Sequence, residues 1–237
     1  MAERAGKSLA AVGFTIKSGW AAAVLLNGSL PSIQVVDSRR IELSDPAIPE
    51  SRQPYHAGFG TARKAGPELS RLLRAVRRSA RHSVAGVIRQ YRAAGHQLIG
   101  AGVVVGSLLD PERIANAHIR IHALEGQLFR RVVEDAARAS SLPCSVWRER
   151  DLYGVTAEAL KQSEQDVRST VKTLGNAVAG TWRAEQKAAT VAAWLMLATS
   201  GRGTQSLRQV RQQPDSTLQP TSRASAVRVK SVNRTRG

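Results

Sequence analysis

Cysteine occurs once in this chain, at position 144, and a single thiol excludes an intrachain disulfide and any multi-cysteine zinc or iron–sulfur site. Cys144 reads as a small buried apolar residue of a strand. Aromatic residues are scarce, at 4% of the chain, too few for the stacked-ring platform that grips single-stranded nucleic acid. No stretch approaches the roughly 20 uninterrupted apolar residues of a membrane helix. The opening residues, Met1 to Ser8, lack the apolar stretch of a secretory signal. A soluble, cytoplasmic protein is the expectation. Acids are short as well: 18 Asp and Glu stand against 35 Lys and Arg in 237 residues, a formal charge of +17. That balance draws polyanions, nucleic acid ahead of anionic lipid.

What is present is enough apolar residue, 42%, for one buried core. Short apolar runs at 10–15 and 20–26 and the stretch 32–43 predict three consecutive antiparallel strands, with Asn27-Gly28 as a turn signal. Residues 45–66, with prolines at 46, 49 and 54 and several glycines, predict a long loop rather than an element, and a loop of that length suggests function. From Pro67 the apolar spacing becomes three and four, through Leu73, Val76, Ala80, Val84, Val87 and Tyr91, and Gly95 closes a long amphipathic helix. The run 98–105 predicts a strand buried on both faces at the centre of the sheet. A helix over 111–140, a strand over 143–147, and helices over 156–161, 163–174 and 182–199 complete a domain at 9–200. Residues 1–8 form a short extension. Residues 201–237, with Arg208, Arg211, Arg223, Arg228, Lys230, Arg234 and Arg236 and little apolar residue, predict a disordered basic tail.

Three antiparallel strands, helix, strand, helix, strand and C-terminal helices is the element order of the ribonuclease H-like fold, an α/β fold with a mixed sheet flanked by helices. The segments Val103-Val-Val-Gly-Ser-Leu108 and Ser145-Val-Trp-Arg-Glu-Arg150, with the Ala-rich helix from Trp182 to Leu197, resemble the RuvC and YqgF (RuvX) resolvase-like branch of that superfamily. The resemblance implies a nuclease in which clustered carboxylates hold two Mg²⁺ ions. Here the pattern is broken. The first acid of the branch, two residues before a glycine at the end of the first strand, corresponds to Lys17 in Thr15-Ile-Lys17-Ser-Gly19, and an ammonium repels the ion the acid should bind. On the last helix the positions matching the family acid are Lys187 and Ala189, with Glu185 one turn from the latter. Glu149 alone keeps an acid in place, so Glu125, Glu149 and Glu185 stand as the candidate catalytic carboxylates.

Two residue groups carry chemistry of their own. Arg71, Arg74, Arg78, Arg81, Arg89 and Arg92 share one face of the long helix and form a stripe about 30 Å long. Guanidinium forks suit phosphate oxygens, and such a line follows a nucleic-acid backbone without reading bases; a solvated outer face is the plain alternative. The second group is Asn116-Ala-His118-Ile-Arg120-Ile-His122-Ala-Leu-Glu125. At spacings of four and three, His118, His122 and Glu125 project from one side of a helix and suit a divalent metal, with His56, Asp45 and Glu42 from the loop region completing the site. The alternatives are histidines that merely order the loop, and an anion site made by Asn116, His118, Arg120 and His122. Three functions follow from these readings. One is a nuclease-inactive, nucleic-acid-binding or interaction module; the second is a metal-dependent phosphodiesterase or nuclease using His118, His122 and Glu125; the third is a structural or protein-binding domain.

Overall fold

A computed structural model describes residues 9–29, 32–58 and 60–200; the extension at 1–8 and the tail at 201–237 lie outside the described residues. Strands β1 (Leu9–Lys17), β2 (Trp20–Ser29), β3 (Ser32–Glu42), β6 (Gln97–Val105) and β7 (Cys144–Arg148) form one sheet in the order β3-β2-β1-β6-β7. The first three pair antiparallel, and β1–β6 and β6–β7 pair parallel. The mixed sheet is flanked by helices on both faces, as the fold class requires. β1, not β6, takes the middle position; β6 lies between β1 and β7.

Side-chain alternation along β1 divides the core. Ala10, Val12, Phe14 and Ile16 face α1 (Pro67–Ala93) and α2 (Ala117–Ala139). Ala11 faces the other layer, built from α3 (Glu149–Leu160), α4 (Glu164–Leu174) and α5 (Ala184–Thr199). Each large fully buried side chain, such as Phe14, Phe129 or Leu195, contributes on the order of 1.5–3 kcal/mol by leaving water. Helix α5 lies unusually close to the sheet. Gly13 and Gly102 are register partners, and a Cβ on Gly13 would stand 1.8 Å from the Ala189 carbonyl oxygen, one on Gly102 2.6 Å from that of Ala192. Two neighbouring glycines opposite an alanine-rich helix therefore let the backbones approach, seating α5 on the sheet around Ala189 and Ala192.

Several boundaries differ from expectation for local reasons. Asn27 and Gly28 are not the turn: the pairing of β2 with β3 continues through them to Ser29 opposite Ser32. The 45–66 stretch is not a bare loop, since it contains a 3-10 turn at Pro49–Arg52 and a ribbon of β4 (His56–Gly58) and β5 (Thr61–Ala62). The Arg63 side chain organises that ribbon by donating to the carbonyls of Pro54 (3.0 Å) and His56 (2.9 Å), and it also meets Glu68 of α1. Helix α1 starts at Pro67 as expected, and Gly95 at φ +88° follows its end. Helix α2 begins at Ala117 rather than near 111, because the Asn116 side chain accepts from the Ile119 backbone N–H (3.0 Å) and caps it there. Helix α3 begins directly after β7, with Glu149 and Asp151 favourably placed at its positive end. Cys144 is in β7 and half-buried rather than fully enclosed.

Candidate functional site

Strands β1, β6 and β7 run parallel, so their carboxyl ends share one edge, the edge where ligands of open α/β sheets bind. Lys17 is the last residue of β1, held there by a tight turn: Lys17 pairs with Trp20 across Ser18-Gly19, and Gly19 takes φ +80°. The Gly19 carbonyl accepts from the backbone N–H of Leu43 (2.8 Å) and Ser44 (3.0 Å), which fixes the turn to the end of β3. Glu149 opens α3 at the end of β7, and Glu185 lies in the first turn of α5. The three side chains meet. Lys17 Nζ stands 3.8 Å from Glu149 Oε2 and 3.9 Å from Glu185 Oε1.

A pair of divalent ions at this edge requires converging carboxylates and no fixed cation among them. These residues do not fit such a pair, since an ammonium lies between the two acids. Glu185, which the sequence places one turn off the family position, is brought to the centre along with Glu149. Lys187 and Ala189 part company: Lys187 faces a cleft, and Ala189 is buried against Gly13. That cleft, of ≈ 400 Å³, is lined by Glu149, Arg150, Tyr153, Arg168, Ala184, Lys187 and Ala188. Its three bases outnumber its single acid. Arg168 stacks on the Tyr153 ring at 3.9 Å and pairs with Glu164 at 3.0 Å, while burial pushes the Tyr153 phenol up. Sequence reasoning missed Arg150, Arg168 and Lys187 as a group. The available signals were Arg150 beside Glu149 and the Glu164/Arg168 spacing of four, but nothing local joins them.

The arginine stripe of α1 is exposed throughout, though not uniformly available. Arg78 pairs with Asp45 at 2.7 Å, and Arg92 donates to the carbonyls of Ser140 (2.7 Å) and Ser141 (3.2 Å). Arg71, Arg74, Arg81 and Arg89 have no hydrogen-bond or ion-pair partner among the described residues. The Asp45 pairing also removes that acid from the histidine block. Its carboxyl is held below the ordinary range by the Ala47 backbone N–H and then by Arg78. Glu42 is likewise taken, by Arg40 at 2.6 Å.

The histidine block itself gathers on the α1/α2 side. His118 and His122 occupy the first turns of α2 with their Nε2 atoms 3.2 Å apart. The β4/β5 ribbon delivers His56, whose ring centroid lies 4.9 Å from that of His122 and 6.4 Å from that of His118. Glu125 is not at the surface beside them as a ligand. It is 2% exposed, and its Oε1 is 2.9 Å from His56 Nδ1. Burial pushes the Glu125 carboxyl up, and His56 partly offsets that. Of the residues in the anion reading, Asn116 is occupied as the α2 cap and Arg120 lies 3.5 Å from the Ile114 carbonyl.

No protein-family model and no curated protein sequence matches the chain. Among solved structures it is similar to RuvC from Thermus thermophilus, at TM-score 0.52 and 10% identity, over 83% of this chain and 98% of that one. A structure of T. thermophilus RuvC in complex with Holliday junction substrate is similar at TM-score 0.51 and 10% identity, over 83% and 97%. The chain therefore has a RuvC-like, ribonuclease H-like fold. No helix among the described residues is long and apolar enough to cross a membrane.

Proposed function

We propose that this chain is a nucleic-acid-binding domain that holds the phosphate backbone without two-metal cleavage. The observation that carries the non-cleaving part is the Lys17 ammonium between Glu149 and Glu185: it pairs with both acids in the place a metal ion would need. Three further bases line the adjoining cleft. On α1 the four guanidiniums with no partner among the described residues add a sequence-independent phosphate contact surface, and the overall charge of +17 favours encounter with polyanions. The structurally similar RuvC has been seen with a Holliday junction, which makes branched DNA a natural probe beside linear duplex.

The test compares the full chain with a variant in which Arg71, Arg74, Arg81 and Arg89 are all Gln, on duplex and four-way junction DNA across a salt series. The tail is unchanged between the two, so the difference reports the helix face alone. The slope of log affinity against log salt should fall by about 3–4 if all four contact phosphates. An unchanged slope removes α1 from the interface. Mg²⁺-dependent cleavage that disappears in Glu149→Gln would overturn the non-cleaving part.

A further inference from the structure

Three of the five histidines in the sequence converge from two elements distant in the chain: His56 on the ribbon, and His118 and His122 on α2. One ring nitrogen of each lies within 4.8 Å of the other two. The 3.2 Å between His118 and His122 Nε2 is the chord of two metal–nitrogen bonds of ordinary Zn²⁺ length meeting at about 100°, close to tetrahedral. His56 stands farther out, its ring centroid 4.9 Å from that of His122 and 6.4 Å from that of His118, so this partly exposed ring must move inward to close the set. Its Nδ1 is engaged by Glu125, which leaves Nε2 for the cluster.

Glu125 supplies a second, independent observation. Its carboxyl is 2% exposed, Oε1 holds His56 Nδ1, the Tyr55 backbone also acts on it, and Oε2 has no hydrogen-bond partner among the described residues, so a positive charge beyond His56 would stabilise its ionised form. A carboxylate on the outer nitrogen of a metal-binding imidazole is the arrangement that fixes the ring and strengthens it as a ligand.

We propose that His56, His118 and His122 bind one divalent ion of the Zn²⁺ class, with Glu125 as the residue that positions His56. Three protein nitrogens leave one coordination position for water or a ligand, and an all-imidazole set selects Zn²⁺-like ions over Mg²⁺ or Ca²⁺. This site lies on the opposite face of the sheet from Lys17 and does not depend on the nucleic-acid reading.

Untagged full-length protein, stripped with chelator and dialysed against Zn²⁺ or Co²⁺, should retain one ion per chain, and the Co²⁺ form should show the visible absorption of a tetrahedral ion. His118 and His122 are exposed, so a His118→Ala/His122→Ala variant keeps the core and should lose at least 100-fold in affinity by chelator competition. Glu125→Gln should lose 10- to 100-fold. The pair His82→Ala/His96→Ala should bind as the parent does. Absence of stoichiometric Zn²⁺ and Co²⁺, or full retention in the His118/His122 variant with its circular dichroism unchanged, overturns the site.

Discussion

Replacing Lys17 with Asp tests whether the carboxyl end of β1 is the place a metal would occupy. One ammonium and two carboxylates now meet there, a formal charge of −1, and the substitution makes it −3. A divalent ion held by the Glu149 and Glu185 oxygens sits about 4 Å from the charge at position 17. At the dielectric of water, removing the ammonium relieves about 2 kcal/mol of repulsion, and adding a carboxylate contributes about the same again in attraction. The full effect is roughly a thousandfold in affinity, but all three side chains are a quarter or more exposed, so salt trims it. Mg²⁺ titrated calorimetrically into Lys17→Asp should bind at least about tenfold more tightly than into the parent, and Lys17→Met should fall between the two. Mg²⁺ is the right probe because imidazoles hold it poorly, which keeps the histidine cluster silent. Without Mg²⁺ the substitution should lower stability by roughly 1–3 kcal/mol, because two attractions become two repulsions, trimmed by exposure and salt. The reasoning fails if Lys17→Asp binds Mg²⁺ no better than the parent, or if adding Glu149→Gln leaves the new affinity intact.

Two further expectations concern the fold. Gly13→Val, which forces a Cβ toward the Ala189 carbonyl, should destabilise by roughly 3 kcal/mol or more in urea unfolding. Gly86→Ala, at a mid-helix position with open space around it, should instead stabilise by about 0.5–1 kcal/mol; equal effects at the two sites would refute the close-approach account of α5. Tyr91 is buried and donates to Asp37, and burial first, then that bond, raises its phenol well above the ordinary 10.0. Because the folded value is the higher one, the contribution is intact below pH 10 and is lost as pH rises beyond it. Unfolding free energy should therefore decline above pH 10 in the parent and less steeply in Tyr91→Phe, and parallel declines would show that Tyr91 does not govern the alkaline limb.

The regular elements were legible in the sequence because their signals are local. Pro67 and Gly95 bracket α1, the alternation in β1 is set by one strand, and the glycine-containing apolar run of β6 is continuous. Register was less so. Asn27-Gly28 has the composition of a turn, yet the pairing of Ser29 with Ser32 carries β2 past it, because ladder bonds and core burial outweigh a dipeptide preference. The 45–66 ribbon escaped for a related reason: its order comes from the Arg63 side chain reaching the Pro54 and His56 carbonyls and Glu68, and spacing does not encode that contact. The histidine block was legible as a helical spacing, but its third ring was one of several options. Asp45 and Glu42 had equal claims in sequence until Arg78 and Arg40 took them. Glu125 changed role altogether, from ligand to the group holding His56, because burial is a tertiary property.

Lys17 also explains how this edge keeps its shape with two acids and a single added cation. Glu149 and Glu185 arrive from different helices, and facing carboxylates without a cation repel. In a metal enzyme the ion supplies the compensation, and its loss leaves the acids unbalanced. A lysine at the end of β1 supplies it covalently, joining β1, α3 and α5 at one point with contacts of 3.8 and 3.9 Å. The close seating of α5 on Gly13 and Gly102 keeps Glu185 within reach, so the glycine pair and the lysine act on the same junction. On the proposed reading the exchangeable ion is replaced here by a fixed ammonium that pairs with both acids; the junction keeps a formal charge of −1, so phosphate contacts fall to the bases of the neighbouring cleft and to α1, and an ammonium supplies no metal-bound hydroxide to cleave the backbone.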